Sequence, residues 1–377
     1  MKLGNFIKVI NGYPFNSDSF NTEGHGYPVI KIKEMKKQAI QLSKDTCYSE
    51  YNPSLQQYVL NRDDILIALT GNPPTKGTTD AMVGRCSRYN LFLPSLLNQR
   101  VCKVISSSEE LLNEYLYYFL SLESTTTSLA SRCSGSANQA NISSNDIKDL
   151  EITLPSVGVQ QHIVNTIGTI DDLIENCQEK VSKIIKLGDL LLICNSYKEP
   201  ICKYANISLG GTPSRKHPEY WNGNIKWINS GAITGVPAIL FESELITADG
   251  VKHSATKPAN KGDSVLSIIE PSKNKVALIL DNDVYFNQSV ICISPKNENG
   301  KGLMFFASRY LIDEIKGYAT GAAQQSLNKD MVEKADILVP NLNVIEKLND
   351  LALEILCIEE KIRKLKSIKL NLLSKYF

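Results

Sequence analysis

Residues 159–194, VQQHIVNTIGTIDDLIENCQEKVSKIIKLGDLLLIC, place apolar side chains at Ile163, Ile167, Ile170, Ile174, Cys177, Val181 and Ile184. The spacing alternates between four and three, with Asp171, Asp172, Glu175, Glu179, Lys180 and Lys183 in between. This pattern predicts a helix that buries a narrow seam against another helix. No proline interrupts it, and at 1.5 Å per residue the stretch makes a rod of roughly 54 Å. Such a rod needs a partner. Residues 344–377 supply one, with Leu348, Leu351, Ile355, Ile358, Ile362 and Leu365 at the same three-four spacing on a charged background. A shift of 185 positions lays Ile163 on Leu348, Ile170 on Ile355, Leu173 on Ile358 and Cys177 on Ile362. The same shift lays Pro155, just before the first rod, on Pro340, just before the second, so the chain reads as a duplication.

The segments preceding the rods carry the same repeat. In the first, strands are expected at 27–32, 64–69 (DILIAL), 83–86 and 99–105, and a helix at 109–122 with Leu112, Leu116 and Phe119 on one face. A Ser/Thr run at 124–128, a Gly/Asn/Gln segment at 135–142 and a last strand at 150–154 follow. In the second, 225–228 and 262–268 stand for the early strands. Asn287-Gln288 stands where Asn98-Gln99 stood, and Gly321 to Leu327 mirrors the Gly135 segment, with Gln324 on Gln139 and Leu327 on Ile142. The expected fold is α+β: two modules in tandem, each followed by a long helix, the two helices packing as an antiparallel coiled coil. The expected boundaries are 1–155, 156–197, 198–340 and 341–377.

With 377 residues, 42% hydrophobic and 21% charged, the chain has length and composition for two or three cored domains. No apolar run reaches the length of a membrane span, and the opening MKLGNFIKVINGYPF lacks the apolar core of a signal peptide, so a cytosolic chain without membrane partners is expected. The nine cysteines form no C-x-x-C pair, which argues against a disulfide framework or a zinc site and for thiols in a reducing compartment. Lys plus Arg number 41 against 40 Asp plus Glu, net +1. A stand-alone nucleic-acid binder carries a basic excess, so any such role must rest on local features or a basic partner.

Gly210-Gly211-Thr212-Pro213-Ser214, then Pro218-Glu219-Tyr220-Trp221-Asn222-Gly223 and Ile225-Lys226-Trp227-Ile228, resemble the opening of a target recognition domain in the specificity subunit of type I restriction-modification enzymes. Asn11-Gly12-Tyr13-Pro14-Phe15 is a looser version in the first half, followed by Asp64 to Gly71 and Leu97 to Val101, both typical of that family. The segment from Leu154 through Gln160-Gln161-His162-Ile163 resembles the start of its spacer helix. The resemblance covers nearly the whole chain. It implies that the helices hold two DNA-reading modules apart and that each module reads one half of a split double-stranded DNA target. It also implies two methylation subunits that bring S-adenosylmethionine, and motor-nuclease restriction subunits for cleavage. This chain itself would hold no cofactor.

Nothing in the residues points to catalysis. Asn72-Pro73-Pro74-Thr75 follows a strand as an adenine-methylating tetrapeptide does, but Thr75 cannot stack on a flipped base. Lys76 precedes Gly77, which rules out a Walker A loop. His25, His162, His217 and His253 lack metal-ligand spacing, and Glu314-Ile315-Lys316 lacks the Pro-Asp partner of a nuclease site. Residues able to bond base edges or phosphates from loops are Tyr13, Ser17, Lys76, Arg85 and Arg88 in the first module. In the second they are Thr212, Ser214, Arg215, Lys216, Ser272, Lys273 and Lys275. A solvated role is the plain alternative for each single Lys or Arg. For 211–216, the glycine pair beside Thr, Ser, Arg and Lys favours phosphate approach. Trp221, Trp227, Tyr220 and Phe15 are expected in cores, and Gln139 and Gln324 suit a structural turn as well as a DNA contact. Ile185, Leu187, Leu190, Leu191 and Leu192, with Leu370, Leu372 and Leu373, widen the apolar faces beyond what a two-helix seam covers, as docking of further subunits requires.

The expectation is a non-catalytic DNA-specificity subunit. The alternatives are the specificity protein of a fused methylase-nuclease system and a coiled-coil scaffold whose modules bind protein or glycan.

Overall fold

The computed structural model describes residues 1–36, 39–72, 83–133, 140–194, 196–318 and 327–377. Contacts divide it into two units, residues 1–169 with 369–377 and residues 170–368.

The strands of the first unit are β1 (Ile7–Asn11), β2 (Tyr27–Ile30), β3 (Tyr48–Ser49), β4 (Val59–Leu60), β5 (Ile65–Ala68), β6 (Thr70–Gly71), β7 (Cys86–Arg88), β8 (Ser95–Leu97), β9 (Val101–Ser106) and β10 (Ala140–Asn141). They form an antiparallel sheet β1-β9-β5-β7, a mixed sheet β3-β2-β8-β4 in which only β2 and β8 run parallel, and a short β6-β10 ladder. Strand β5 is buried on both faces, and its side chains alternate between two cores. Ile65 and Ile67 pack in the cluster that contains Leu116, Leu120 and Leu129, and Leu66 and Ala68 in a second one with Ile30, Leu60 and Leu97. Helices α1 (Asn113–Ser121), α2 (Glu123–Ser131) and α3 (Ser144–Lys148) complete the module before α4 (Val157–Ile193).

The second unit repeats this plan. Its strands are β11 (Tyr197–Pro200), β12 (Ala205–Leu209), β13 (Trp221–Ile228), β14 (Ala238–Ile239), β15 (Glu244–Ile246), β16 (Lys257–Ala259), β17 (Ser264–Ser267), β18 (Val276–Ile279), β19 (Val284–Phe286), β20 (Val290–Pro295) and β21 (Asp336–Val339). The sheet β12-β20-β17-β18 has the order of β1-β9-β5-β7, with β14 added at its edge, and β15-β13-β19-β16 matches β3-β2-β8-β4 down to its one parallel pair, β13 with β19. Its helices are α5 (Ala248–Lys252), α6 (Lys301–Ile315), α7 (Lys329–Glu333) and α8 (Leu342–Tyr376). Trp221 and Trp227 are buried, ring edge to face, in a cluster with Ile246. They are core residues, as expected.

The two long helices pack antiparallel. In the first unit Ile163 and Ile167, at the start of α4, share a core with Leu373 near the end of α8. In the second, Val181, Ile184 and Leu192 share one with Leu348, Ile355, Ile358 and Ile362, and the Lys180 ammonium meets Glu354 at 2.7 Å. Ile170 is buried, and Ile174, Leu351 and Leu365 are half-buried. The wider apolar face divides: Leu192 and Leu373 are buried in the modules' cores, whereas Leu187, Leu190, Ile193, Leu353, Ile368 and Leu370 are exposed.

Some local expectations differ from the structure. Residues 150–154 form no strand; Glu151 makes one isolated bridge to Lys2, because no neighbouring strand runs alongside. The expected 83–86 strand begins only at Cys86, after a turn at Val83-Gly84. The 109–122 helix shortens to α1, since the Leu112 N–H is taken by the Gln160 side chain, and buried Gln160 also donates to the Glu110 and Pro155 carbonyls. The Ser/Thr run lies inside α2. The Gly135 to Gln139 and Gly321 to Ser326 segments, with Gln139 and Gln324, lie outside the described residues.

Candidate nucleic-acid interface

One turn is built twice around an asparagine. In the first module Asn98 accepts on its main-chain oxygen from the Val101 N–H and on its side chain from the Arg100 N–H, while its own N–H donates to Ile30. In the second, Asn287 accepts from Val290 and Ser289 in the same way and donates to Ile228. Tyr13 N–H donates to Leu97 as Gly211 N–H does to Phe286. Farther along each chain, Ile142 N–H donates to Leu69 and Leu327 N–H to Ile268, the pairing expected from the repeat. Glycine is required beside each turn: a Cβ on Gly12 would stand 2.0 Å from the Asn98 carbonyl oxygen, and one on Gly210 2.1 Å from that of Phe286. The paired asparagine and glycine bring the segments 12–17 and 210–216 against the turns.

In the second module the Thr212 hydroxyl donates to Gln288 Oε1 at 2.5 Å. Arg215 makes a two-pronged bond to Glu244, at 2.7 and 2.5 Å, and lies 3.4 Å from the centre of the Trp221 ring. The Glu244 carboxylate holds the guanidinium pKa above its usual value, although partial burial opposes this. Ser214 is exposed and its hydroxyl accepts from the Lys216 N–H; the Lys216 side chain is exposed as well. His217, Tyr220 and His253 stack beside this loop, with ring centroids 4.8 and 5.7 Å apart. Sequence reasoning did not single out Gln288, Glu244 or this ladder. The repeated Asn-Gln pair was the available signal for Gln288.

The other candidates are placed differently. Lys273 pairs with Asp313 on α6, and Lys275 bonds the Ile269 carbonyl and Glu270; Ser272 accepts from the Lys275 N–H. Among the described residues no hydrogen bond or ion pair joins these three to residues 212–216. In the first module Tyr13 packs against Phe15 and Tyr58, and Ser17 opens an exposed turn. Arg85 donates to the Met35 carbonyl, and Arg88 pairs with Asp63 at 2.9 Å. Lys76 lies outside the described residues. No group of His, Cys, Asp and Glu among the described residues could hold a metal. Burial pushes the Cys86 and Cys292 thiols far up and that of Cys102 to about 12, so none of the three is a thiolate nucleophile.

Two α+β modules with one strand order, each followed by a long helix of an antiparallel pair, define a tandem recognition-domain architecture. The family model for the type I restriction modification DNA specificity domain matches residues 1–186 and again 201–366, and the chain belongs to this family. It is 24% identical over 287 residues to the type I restriction enzyme MjaIX specificity subunit of Methanocaldococcus jannaschii, covering 68% of this chain and 65% of that one. It is also 24% identical over 188 residues to the EcoBI specificity subunit of Escherichia coli, covering 49% of this chain and 34% of the other. The matched regions thus span about a third to two thirds of these relatives' lengths. The crystal structure of the type I restriction-modification system S subunit from M. genitalium shares the fold, with a TM-score of 0.53 at 14% identity over all of this chain and 95% of that one. No helix among the described residues is long and apolar enough to cross a membrane.

Proposed function

We propose that this chain is the non-catalytic DNA-specificity subunit of a type I restriction-modification system, acting in the cytoplasm. The observation that carries the reading is the doubled Asn98/Asn287 turn within a doubled strand order in a member of this family. One scaffold presents different loop residues in its two copies, as a reader of a two-part asymmetric target requires. Each module, divided functionally at 1–155 and 198–340, contacts one half-site of duplex DNA from the loops beside its turn. Backbone N–H groups, hydroxyls and Lys serve phosphate, and Arg, Asn and Gln serve base edges.

The helices, 156–197 and 341–377, set the unread spacer. The exposed leucines Leu187, Leu190, Leu353 and Leu370 support docking of two methylation subunits, because apolar side chains in water gain by burial. Those subunits bring S-adenosylmethionine and the adenine-methylating sites, and motor-nuclease subunits join for cleavage. The net charge of +1 means that firm DNA binding relies on these partners.

The test is a genome-wide map of N6-methyladenine in cells expressing the chain with its neighbouring methylation subunit, against cells lacking the chain. A split motif that appears only with the chain is expected. Methylation that is unchanged although the complex assembles would sink the reading in favour of a scaffold.

A further inference from the structure

The duplicated turn ends in a shared glutamine and then a residue that differs between the modules: Gln99-Arg100 in the first, Gln288-Ser289 in the second. Both glutamines and Arg100 are exposed. Arg100 is peculiar in what its side chain lacks. Arg62 stacks on Phe92, Arg85 bonds the Met35 carbonyl, Arg88 pairs with Asp63, and Arg132 bonds the Asp146 carbonyl. Arg215, Arg309 and Arg363 pair with Glu244, Asp189 and Asp281. The Arg100 guanidinium has no hydrogen-bond, ion-pair or ring partner among the described residues.

Its backbone is held firmly all the same. The Arg100 N–H donates to the Asn98 side chain, its carbonyl accepts from Leu69, and the neighbouring Gln99 N–H donates to Tyr13. A fixed main chain carrying an unspent planar fork of donors suits bidentate bonding to a partner that arrives later. At the equivalent place in the second module the arginine is replaced by Ser289, and the Gln288 amide is aimed by Thr212, which donates to its Oε1 and leaves that oxygen's second lone pair and both N–H donors available.

Building on the DNA-specificity reading, we propose that the two turns are base-reading tips: Arg100 contacts a guanine edge in the half-site of the first module, and Gln288 contacts a base in the half-site of the second. The common Asn-Gln turn sets the depth of approach, and the unpartnered Arg100 in the first module and the Thr212-aimed Gln288 in the second supply the difference between the half-sites. Arginine bonds guanine O6 and N7 together, and glutamine bonds adenine N6 and N7.

The experiment repeats the methylation map with Arg100→Ala and Gln288→Ala in the assembled complex, with binding of the complex to duplex DNA measured over a salt series. Melting of each variant within about 2 °C of the parent chain confirms that the exposed substitution leaves the fold intact. Arg100→Ala is expected to relax one position of one half-site, with discrimination there falling roughly tenfold or more, while the other half-site stands. Gln288→Ala is expected to do the converse. Weaker binding with an unchanged motif and a shallower salt dependence would mark a phosphate contact and overturn base reading. An unchanged motif and affinity would overturn the tips while the specificity role stands; absence of any chain-dependent motif with the parent chain would overturn both.

Discussion

Glu359 on α8 has 4% of its surface exposed and no hydrogen-bond or ion-pair partner among the described residues. Burial pushes its carboxyl up to about 7, with Lys366 pulling the other way. Its folded pKa therefore exceeds the unfolded value near 4.5, so the folded chain holds the proton more tightly. Its contribution favours folding below about pH 4.5 and is lost as pH rises towards 7. Glu359→Gln, which keeps the shape and removes the charge, is expected to raise stability at pH 8 by about 2–3 kcal/mol and to change little at pH 5. Melting temperatures of the two chains across pH 5–8 check this, and parallel curves would refute the buried-charge account. Glu359 was not legible in the sequence. It reads there as one more charge on a solvated helix face, whereas in the structure it lines a cavity with Ser182 and Lys186 of α4 and with Pro237 and Leu240 of the second module. Arg215 was legible as a candidate, but its fixed pose was not, since Glu244 lies 29 residues farther along, on strand β15.

At the scale of elements, the seam of α4 and α8 was the most legible feature, because a three-four period leaves a helix only one face to bury. The end of the apolar face was less so: Leu192 and Leu190 look alike in sequence, yet one is buried and the other is 64% exposed. Leu192 joins the core that holds Phe305 and Phe306 of α6, a helix that packs closely on both rods: a Cβ on Gly188 would meet the Phe306 ring at 2.2 Å, and one on Gly302 the Leu348 carbonyl oxygen at 2.1 Å. Gly302→Ala is expected to cost about 1–3 kcal/mol by overpacking. Gly158→Ala, with nothing within 4 Å in the first turn of α4, is expected to be neutral or slightly stabilising. Urea unfolding of both checks the contrast. Charges also join helices to the second module. Arg309 on α6 forks onto Asp189 of α4 at 3.1 and 3.0 Å. Asp281 accepts from both Lys226 and Arg363 of α8, and these bonds outweigh desolvation to hold its carboxyl below the usual range. Arg309→Met should cost about 3 kcal/mol, since it leaves half-buried Asp189 without its guanidinium. Asp189→Asn/Arg309→Met should recover part of that loss; a double variant no more stable than Arg309→Met alone would remove the ion pair as its cause.

At the scale of the whole molecule, the proposed ruler makes a prediction of its own. Inserting two helical turns, seven residues, into α4 with a matching seven in α8 should lengthen the unread spacer of the methylated motif and leave both half-sites as they were. Altered half-sites in the methylation map would argue against a ruler. The duplication itself was plain from the 185-residue shift, because two copies of one scaffold keep the same turns, prolines and seams while their loops diverge. The first core nonetheless draws on residues far along the chain: Leu373 packs with Ile163 and Ile167, and Phe377 lies against Tyr115 with ring centroids 4.8 Å apart. The module made first during synthesis is therefore closed last. While the second half is still being made, the early module waits with an apolar notch in which α8 has yet to seat, so a ribosome stalled midway would leave a nascent chain that is folded in outline and still sticky at one place.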